Sequence, residues 1–397
     1  MNANWNFFDP TRVIFGPGRL KELGTIALPG KKALIVTTNG KSVIKYGYLD
    51  RVKELLAQQN VACTVYSKVS QNPTQGQVME AAGIAKAEGC DFVVALGGGS
   101  AIDASKMIAI MAKNPGELWD YIGGGSGKGM PVQNGALPVV AITTTAGTGS
   151  EIDPWAVTNK EETGEKIGWG GDLCFAAIAI IDPELMKSVP ATYKAYQGMD
   201  TFFHLTECYI SSLATPMSDM FALKGIELVS KSLPKSVADA ENIDALTDVA
   251  FANSLGGYTQ FLSGCVSQHA MEHAISGKFP KVVHGAALCA LSEAYFTFFM
   301  DKPGYAERYV DMARAMGVDV DALPEAERPA AFIRALHELM AACGVADMKM
   351  SDWGIRKDDC TMLAETAHYI MPGMFEENDR YHMTVAETAE IFRNAYR

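Results

Sequence analysis

Long apolar runs and an excess of basic side chains are both missing from this chain of 397 residues. No stretch reaches the roughly 18 apolar residues that a membrane-spanning helix needs, and the start MNANWNFFDP lacks the basic-then-apolar pattern of a signal peptide. The chain has 34 lysines and arginines against 46 acidic side chains, and its net charge of −12 disfavours nucleic acid and anionic membranes as partners. The composition therefore predicts an acidic cytoplasmic protein with neither kind of partner.

Paired cysteines are absent and histidines are scarce. The eight cysteines include no C-x-x-C pair, which disfavours a thiolate zinc site or a redox pair and predicts reduced, structural thiols. The chain has only seven histidines, yet three of them fall within HAMEHAISGKFPKVVHG, residues 269–285. That concentration of a metal-binding residue type is the first indication of a site.

The hydrophobic pattern predicts two domains, as expected for a chain longer than the roughly 250 to 300 residues at which one core stops growing. Alternating β-branched and helical runs in residues 1–188 predict a Rossmann-like α/β domain, and helical periodicity in residues 189–397 predicts an all-α domain. The first domain has predicted strands at 31–38, 62–69, within 91–100 and at 138–145, and predicted helices at 48–60, 76–89 and from residue 101. The second has predicted helices at 192–213, 216–233, 244–262, 284–299, 326–342 and 384–396.

Two small-residue loops follow predicted strands in the first domain. Gly97-Gly98-Gly99-Ser100 lies where a strand gives way to a helix, a place where backbone N–H groups and the helix dipole can receive a phosphate. The second loop, TTTAGTGS (143–150), adds hydroxyl groups. Either loop alone could be a simple tight turn, but together they favour a dinucleotide-binding site.

The segment after the strand ALIVT bears on the choice of coenzyme. An acid at this place usually binds the ribose 2′-hydroxyl of NAD. Here the chain reads Thr38-Asn39-Gly40-Lys41-Ser42, with no acid. Lys41 and Ser42 could receive the 2′-phosphate of NADP or could form a polar turn, so the sequence predicts NAD(P) without choosing between the two.

Possible metal ligands occur at helical spacing in the second domain. Asp200 and His204 are four residues apart, as are His269 and His273, and residues at i and i+4 share a helix face. His284 begins the next predicted helix. One carboxylate and several imidazoles could therefore converge on a divalent cation such as Fe²⁺ or Zn²⁺.

A competing motif uses the same residues. His269, Glu272 and His273 fit H-x-x-E-H, in which two histidines bind zinc and the glutamate is the general base of a hydrolase. A hydrolase would leave the glycine and threonine loops without a role. Because adjacent helical residues point about 100° apart, we expect Glu272 to have a solvent-facing or structural role instead.

Motifs spread over nearly the whole chain resemble those of the iron-containing (group III) alcohol dehydrogenases, a family that includes lactaldehyde reductase, propanediol dehydrogenase and butanol dehydrogenases. They are FGPG (15–18), GGGSAID (97–103), TTTAGTGSE (143–151), IIDPEL (180–185), GMDTFFHLTECYIS (198–211) and the histidine segment. The resemblance implies a dehydroquinate synthase-like architecture, with cofactor and metal between an α/β and an all-α domain. It also implies a homo-oligomer, a dimer or larger.

The resemblance also assigns roles to individual residues. The implied metal ligands are Asp200, His204, His269 and His284, and His273 matches a histidine that assists proton transfer beside the nicotinamide. The implied cofactor-binding residues are Thr38, Asn39, Gly97, Gly98, Gly99, Ser100, Asp103, Thr144, Thr145, Thr148 and Lys166.

The expected reaction is NAD(P)-linked interconversion of a small aldehyde and its primary alcohol, with one divalent metal polarising the carbonyl oxygen. The family implies Fe²⁺, while the usual affinity order favours Zn²⁺. Two alternatives stay open from the residues: a zinc-dependent, glycerol-type polyol dehydrogenase and the H-x-x-E-H metallohydrolase.

Overall fold

The computed structural model describes residues 4–397. Residues 1–3, which the predicted first domain includes, lie outside the described part. The described chain forms two compact units, one of Phe8–Val189 and one of Pro190–Arg397 together with residues 4–7. Phe7 belongs to the second unit because its ring packs 6.3 Å from that of Tyr258 and 6.2 Å from that of Phe261, between centroids.

The first unit is built on a six-stranded parallel sheet, which confirms the predicted α/β class. Its strand order is β1-β8-β5-β4-β2-β3, and β4, next to the centre, is buried at every position. The strands are β1 (Arg12–Phe15), β2 (Lys32–Thr38), β3 (Ala62–Val69), β4 (Phe92–Gly97), β5 (Val139–Thr143), β6 (Trp155–Lys160), β7 (Glu165–Gly170) and β8 (Ile178–Ile181). The helices of this unit are α1 (Ser42–Lys45), α2 (Tyr48–Gln58), α3 (Gln75–Glu88), α4 (Gly99–Met111) and α5 (Leu118–Tyr121).

The strands β6 and β7 form a separate antiparallel hairpin that the sequence analysis did not predict. Their turn uses Gly164 at φ 66, a left-handed conformation that glycine adopts without steric cost. Glu165, buried at the start of β7, accepts bonds from the hydroxyls of Thr163 and Ser126, both at 2.6 Å. The bond from Ser126 joins residues 39 positions apart, a tertiary contact that no local pattern in the sequence indicates.

The second unit contains only helices and connecting segments in its described part, as the sequence predicts. The helices are α6 (Ala191–Ile210), α7 (Pro216–Ala238), α8 (Ile243–Ser263), α9 (Ser267–Lys278), α10 (His284–Phe299), α11 (Ala306–Ala315), α12 (Arg328–Ala342), α13 (Cys360–Ile370) and α14 (Val385–Ala395). No helix of residues 4–397 is both long and apolar enough to cross a bilayer. The eight cysteines are free thiols, and all but Cys63 are buried.

Residues 378–380 tie the end of α6 to the start of α9. Arg380 donates to the carbonyl oxygens of Ile210 at 2.8 Å and Ser211 at 2.7 Å. Asp379 is buried, and its Oδ1 accepts bonds from the Ser267 N–H at 3.3 Å and the Tyr295 hydroxyl at 3.4 Å. The segment therefore fixes the two helices that carry most of the candidate metal ligands.

Asp379 provides a test of this arrangement. Burial raises its pKa to about 8, so the folded state keeps a proton that the unfolded chain loses. The protonated Asp379 side chain therefore contributes stability at acid pH. This stability is lost as the pH rises from the pKa of Asp379 in the unfolded chain to its pKa in the folded protein, by about 1.4 kcal/mol per pH unit. We expect Asp379→Asn, which mimics the protonated form, to gain stability relative to the wild type between about pH 5 and pH 7, as measured by urea unfolding.

The matched control is Asp311→Asn. The Asp311 carboxylate also accepts a bond from a tyrosine hydroxyl, that of Tyr209, but its side chain is 45% exposed. Its replacement should leave the pH dependence of unfolding unchanged. An Asp379→Asn curve parallel to the wild-type curve would contradict the assigned protonation of Asp379.

Candidate metal centre and nucleotide loops

Five candidate side chains meet inside the helical unit. Asp200 and His204 lie on α6, His269 and His273 on α9, and His284 is the first residue of α10. The first four are buried, and His284 is partly exposed. The i and i+4 spacing thus places both pairs on inward helix faces, as the sequence predicts.

One oxygen, Asp200 Oδ1, lies close to three imidazoles. It is 3.3 Å from His284 Nε2, 3.5 Å from His269 Nε2 and 3.7 Å from His204 Nδ1. The His204 and His269 rings stack with centroids 4.4 Å apart. Asp200, His269 and His284 each offer a ligand atom, and these atoms lie within 4.8 Å of one another.

Two of these ligand atoms lack a hydrogen-bond partner among the described residues. Asp200 Oδ1 and His269 Nε2 are buried and face each other at 3.5 Å as an ion pair, but neither has a partner in hydrogen-bond geometry among residues 4–397. An unsatisfied buried polar atom destabilises a fold, so such atoms are rare unless something binds them. A carboxylate oxygen and imidazole nitrogens are donors that suit Fe²⁺ or Zn²⁺. The residues present therefore fit a divalent cation.

A buried carboxylate that the sequence analysis missed holds one of the imidazoles. Glu207 Oε1 lies 2.6 Å from His269 Nδ1, and Glu207 Oε2 accepts the Val266 N–H at 3.1 Å. A carboxylate on the second ring nitrogen of a metal-binding histidine sets its tautomer and orientation. The signal in the sequence is the spacing of seven from Asp200 to Glu207, two helical turns along one face.

Glu272 plays the same part for His284. Its side chain is fully buried, and Glu272 Oε2 is bonded to His284 Nδ1. The solvent-facing role allowed by the sequence analysis is wrong, because every residue of α9 from Ser267 to Gly277 is buried, Glu272 included. A general base in a hydrolase must face a water molecule, whereas this carboxylate is bonded to an imidazole.

The charges of the centre reinforce one another. Burial alone would raise the pKa of Asp200, but the neighbouring His204 and His284 hold it well below its usual value. Burial opposes protonation of His269, but Glu207 and Asp200 raise its pKa to about 10. A cation that binds here would displace a proton from His269.

His273 lies at the edge of this cluster. Its ring centroid is 5.7 Å from that of His284 and 6.5 Å from that of His269. It shares a second group of donor atoms, within 4.8 Å of one another, with Glu272 and His284. The histidine predicted to transfer a proton is therefore a neighbour of the candidate ligands.

The two small-residue loops of the sheet unit pack against each other. A Cβ at Gly98 would lie 2.6 Å from Thr145 Oγ1, and one at Gly99 would lie 2.4 Å from Thr148 Cγ2. Any side chain at either glycine would clash with a threonine, so only glycine fits where the second loop packs on the start of α4. Such a helix N-terminus can bind a phosphate group.

The other predicted cofactor residues occupy different surroundings. Thr38 and Asn39 lie at the end of β2, where the Asn39 N–H is bonded to Val69 O at 2.8 Å. Lys166 is buried on β7. The remaining residues of this set are Gly97, whose carbonyl accepts the Thr144 N–H at 3.0 Å, and Ser100, which donates to Gln71 O.

Asp103 is already bonded within the protein. Asp103 Oδ1 accepts the Ser150 hydroxyl at 2.5 Å, and Asp103 Oδ2 accepts the Val157 N–H at 3.0 Å. Burial raises its pKa to about 6. These bonds join α4, the threonine loop and β6, so its structural contribution is to hold that loop in place.

Family comparisons cover most of the chain. Residues 10–183 match the model for iron-containing alcohol dehydrogenase, and residues 194–396 match that for the C-terminal part of the same family. The chain is 32% identical to NAD-dependent methanol dehydrogenase of Bacillus methanolicus, over 98% of this chain and 99% of the relative. It is 33% identical to choline dehydrogenase of Bacillus subtilis, over 90% of this chain and 87% of the relative.

Solved structures give the same result. An archaeal halo-thermophilic alcohol dehydrogenase from a Red Sea brine pool superimposes with a TM-score of 0.93 at 32% identity, covering 100% of both chains. A 1,3-propanediol oxidoreductase matches with a TM-score of 0.90 at 30% identity, over 99% of this chain and 100% of that one. These matches confirm the resemblance and favour neither the polyol dehydrogenase nor the hydrolase. The chain belongs to the iron-containing alcohol dehydrogenase family.

Proposed function

We propose that this alcohol dehydrogenase interconverts a small aldehyde and its primary alcohol, using NAD(P)(H) and one divalent cation held by Asp200, His204, His269 and His284. The observation that carries the proposal is the pair of buried atoms, Asp200 Oδ1 and His269 Nε2, that lack hydrogen bonds among residues 4–397. Fe²⁺ accords with the name of the family, and Zn²⁺ fits the same donors.

The cation would polarise the carbonyl oxygen as a Lewis acid, and the nicotinamide would give or take the hydride. The protein residues supply orientation and charge. Glu207 and Glu272 fix the rings of His269 and His284, so each presents one nitrogen to the same place. Asp200 adds a negative charge that offsets part of the charge of the cation.

We assign proton transfer at the substrate oxygen to His273. General acid or base catalysis by a positioned side chain contributes about 10²- to 10⁴-fold to turnover. We therefore expect His273→Asn to lower kcat by this order and to remove one limb of its pH profile, while the metal content stays at the wild-type value. Loss of metal from the variant would instead show that His273 is a metal ligand, together with Glu272 and His284.

For the coenzyme, we propose that the backbone N–H groups of Gly98, Gly99 and Ser100 bind the pyrophosphate at the start of α4. The residues proposed to complete the site are Thr38, Asn39, Gly97, Asp103, Thr144, Thr145, Thr148 and Lys166. Since no acid follows β2 before Ser42, a 2′-phosphate meets no repulsion there. We expect the protein to accept both NADH and NADPH.

Absorbance at 340 nm tests the proposed reaction directly. Protein reconstituted anaerobically with Fe²⁺ or Zn²⁺ should oxidise NADH or NADPH in the presence of C2 to C4 aldehydes. Removal of the metal with a chelator should abolish the rate, and restoring the metal should recover it. Absence of oxidation with both coenzymes and both metals would overturn the proposal.

Small alcohols and diols are the first substrates to test in the reverse direction. The similar proteins are named for methanol, 1,3-propanediol and choline, which are all short primary alcohols. The rate of coenzyme reduction should be measured with each of these three alcohols. The rates would show whether the length of the alcohol or its charge has the larger effect on turnover.

A further inference from the structure

One face of α4 holds the segment that follows β5. Gly99, Asp103 and Lys106 follow one another at i, i+4 and i+7, so these positions lie on the same side of the helix. Residues 148–157 run along this side. They pack against Gly99 at one end and are bonded to Asp103 further along. The threonine loop (143–150) and the start of β6 are therefore attached to the helix that begins at the proposed pyrophosphate site.

Lys106 has a buried ammonium group with three bonds. Its side chain is 0% exposed, and Nζ donates to the carbonyl oxygens of Asp153 at 2.8 Å and Trp155 at 2.6 Å. The third bond, at 3.2 Å, goes to the Asp153 carboxylate, which is also buried. A buried charge is tolerated only when it is paired and hydrogen-bonded, as this one is. The ammonium group therefore fixes the turn before β6 to α4.

Two buried charges of opposite sign act on the carboxylate of Asp103. Burial raises the pKa of Asp103 to about 6, although Lys106 and the hydrogen bonds that the carboxylate accepts lower it. Asp153 raises this pKa, by less than Lys106 lowers it. Burial also raises the pKa of the neighbouring Cys174 thiol to about 12, so that group stays neutral. The ionisation of Asp103 near neutral pH therefore depends on Lys106.

We propose that Lys106 is a positioning residue for the coenzyme, because it keeps Asp103 ionised and able to hold the threonine loop on α4. The proposal rests on the proposed function, since it takes the loops at the start of α4 to be the coenzyme site. Hydrogen bonds to an ionised acceptor are about twice as strong as those between neutral groups. A protonated Asp103 would hold Ser150 and Val157 less firmly, and binding of the coenzyme would then have to order the loop.

The pH dependence of coenzyme binding tests this role. We expect calorimetric titration of the wild-type protein with NAD⁺ or NADP⁺, whichever binds, to give a dissociation constant that rises as the pH falls through about 6. The carboxylate is ionised above this pH and protonated below it. Asp103→Asn has no titrating group at this position, so its affinity should be lower at neutral pH and should lack this pH dependence.

Two variants should move the midpoint of this pH dependence in opposite directions. Lys106→Met removes the cation, so the pKa of Asp103 should rise and the midpoint should move up by about one pH unit. Protonation of Asp153 in that variant cannot reverse the direction, because its effect on Asp103 is the smaller one. Asp153→Asn removes the neighbouring anion and keeps an oxygen for Lys106, so the midpoint should move down. A change in packing alone would not produce shifts of opposite sign.

Lys86→Met is the matched control. Lys86 lies on α3, which packs against α4, and it donates to the Asn114 carbonyl at 3.3 Å rather than to a carboxylate. Its replacement should leave both the affinity and the midpoint at the wild-type values. Circular dichroism and metal content should be unchanged in every variant, which separates loosening of the loop from unfolding.

The outcomes separate this inference from the proposed function. A wild-type affinity that does not change around pH 6, or a pH dependence that survives in Asp103→Asn, would overturn the inference and leave the proposed function intact. Shifts of the same sign in Lys106→Met and Asp153→Asn would also overturn it. If Lys106→Met does not fold, Lys106→Gln, which can still donate a hydrogen bond, should show the upward shift, and a wild-type midpoint there would refute the role of Lys106. Failure of the wild type to bind either coenzyme would overturn both proposals.

Discussion

His269→Ala should purify without stoichiometric metal and without measurable dehydrogenase activity. The substitution removes the imidazole that lies 3.5 Å from Asp200 Oδ1 and leaves the buried carboxylate of Glu207 without its histidine partner. A catalytic metal site held by few ligands does not tolerate the loss of one. Elemental analysis of the purified protein, followed by NADH oxidation after reconstitution, measures both effects.

His337→Ala is the control for this variant. His337 is also bonded to a glutamate through Nδ1, at 2.7 Å from Glu293, but it is largely exposed. Its replacement should change neither metal content nor rate. Full metal content and full turnover in His269→Ala would exclude the proposed centre. If circular dichroism shows that this variant is unfolded, the same measurements are made on His284→Ala.

Glu207→Gln should weaken metal binding by about 10- to 100-fold, the usual cost of changing a carboxylate behind a metal-binding histidine. The amide can still accept a bond from His269 Nδ1, so the ring stays in place while the negative charge is lost. Competition titration with a chromophoric chelator measures the affinity. Activity at saturating metal should fall much less than activity at limiting metal, because the ligands themselves are intact.

The surface pair of Glu293 and His337 also provides the matched control for Glu207→Gln. Glu293→Gln changes the same kind of Glu–His bond where solvent screens it. Its metal affinity should equal that of the wild type. Equal affinities in all three proteins would show that Glu207 contributes only to packing.

Local patterns predicted the α/β and all-α classes of the fold and most helices, but they failed where tertiary contacts override them. The predicted helix at 216–233 stops before Pro234, yet α7 continues through that proline to Ala238. Proline in a helix interior removes one hydrogen bond, and here α7 packs along both α6 and α8, which outweighs that cost. Conversely, the helix predicted to reach 213 ends at Ile210, where the Ser211 hydroxyl is bonded to Ser263 O at 2.8 Å.

The sequence by itself determined which residues could act as ligands. The spacings of four between Asp200 and His204 and between His269 and His273 fix which side chains share a helix face, because helical periodicity is a local property. Glycines after two strands likewise marked the places where a phosphate can approach the backbone. The family motifs then connected these separate positions.

Only the tertiary structure decided what surrounds those residues. Glu207 and Glu272 reach the candidate ligands because α10 packs against both α6 and α9, and no spacing along the chain encodes a contact between Glu207 and His269, 62 residues apart. Packing excludes water from these side chains, and burial makes each polar atom depend on the partner that the fold provides.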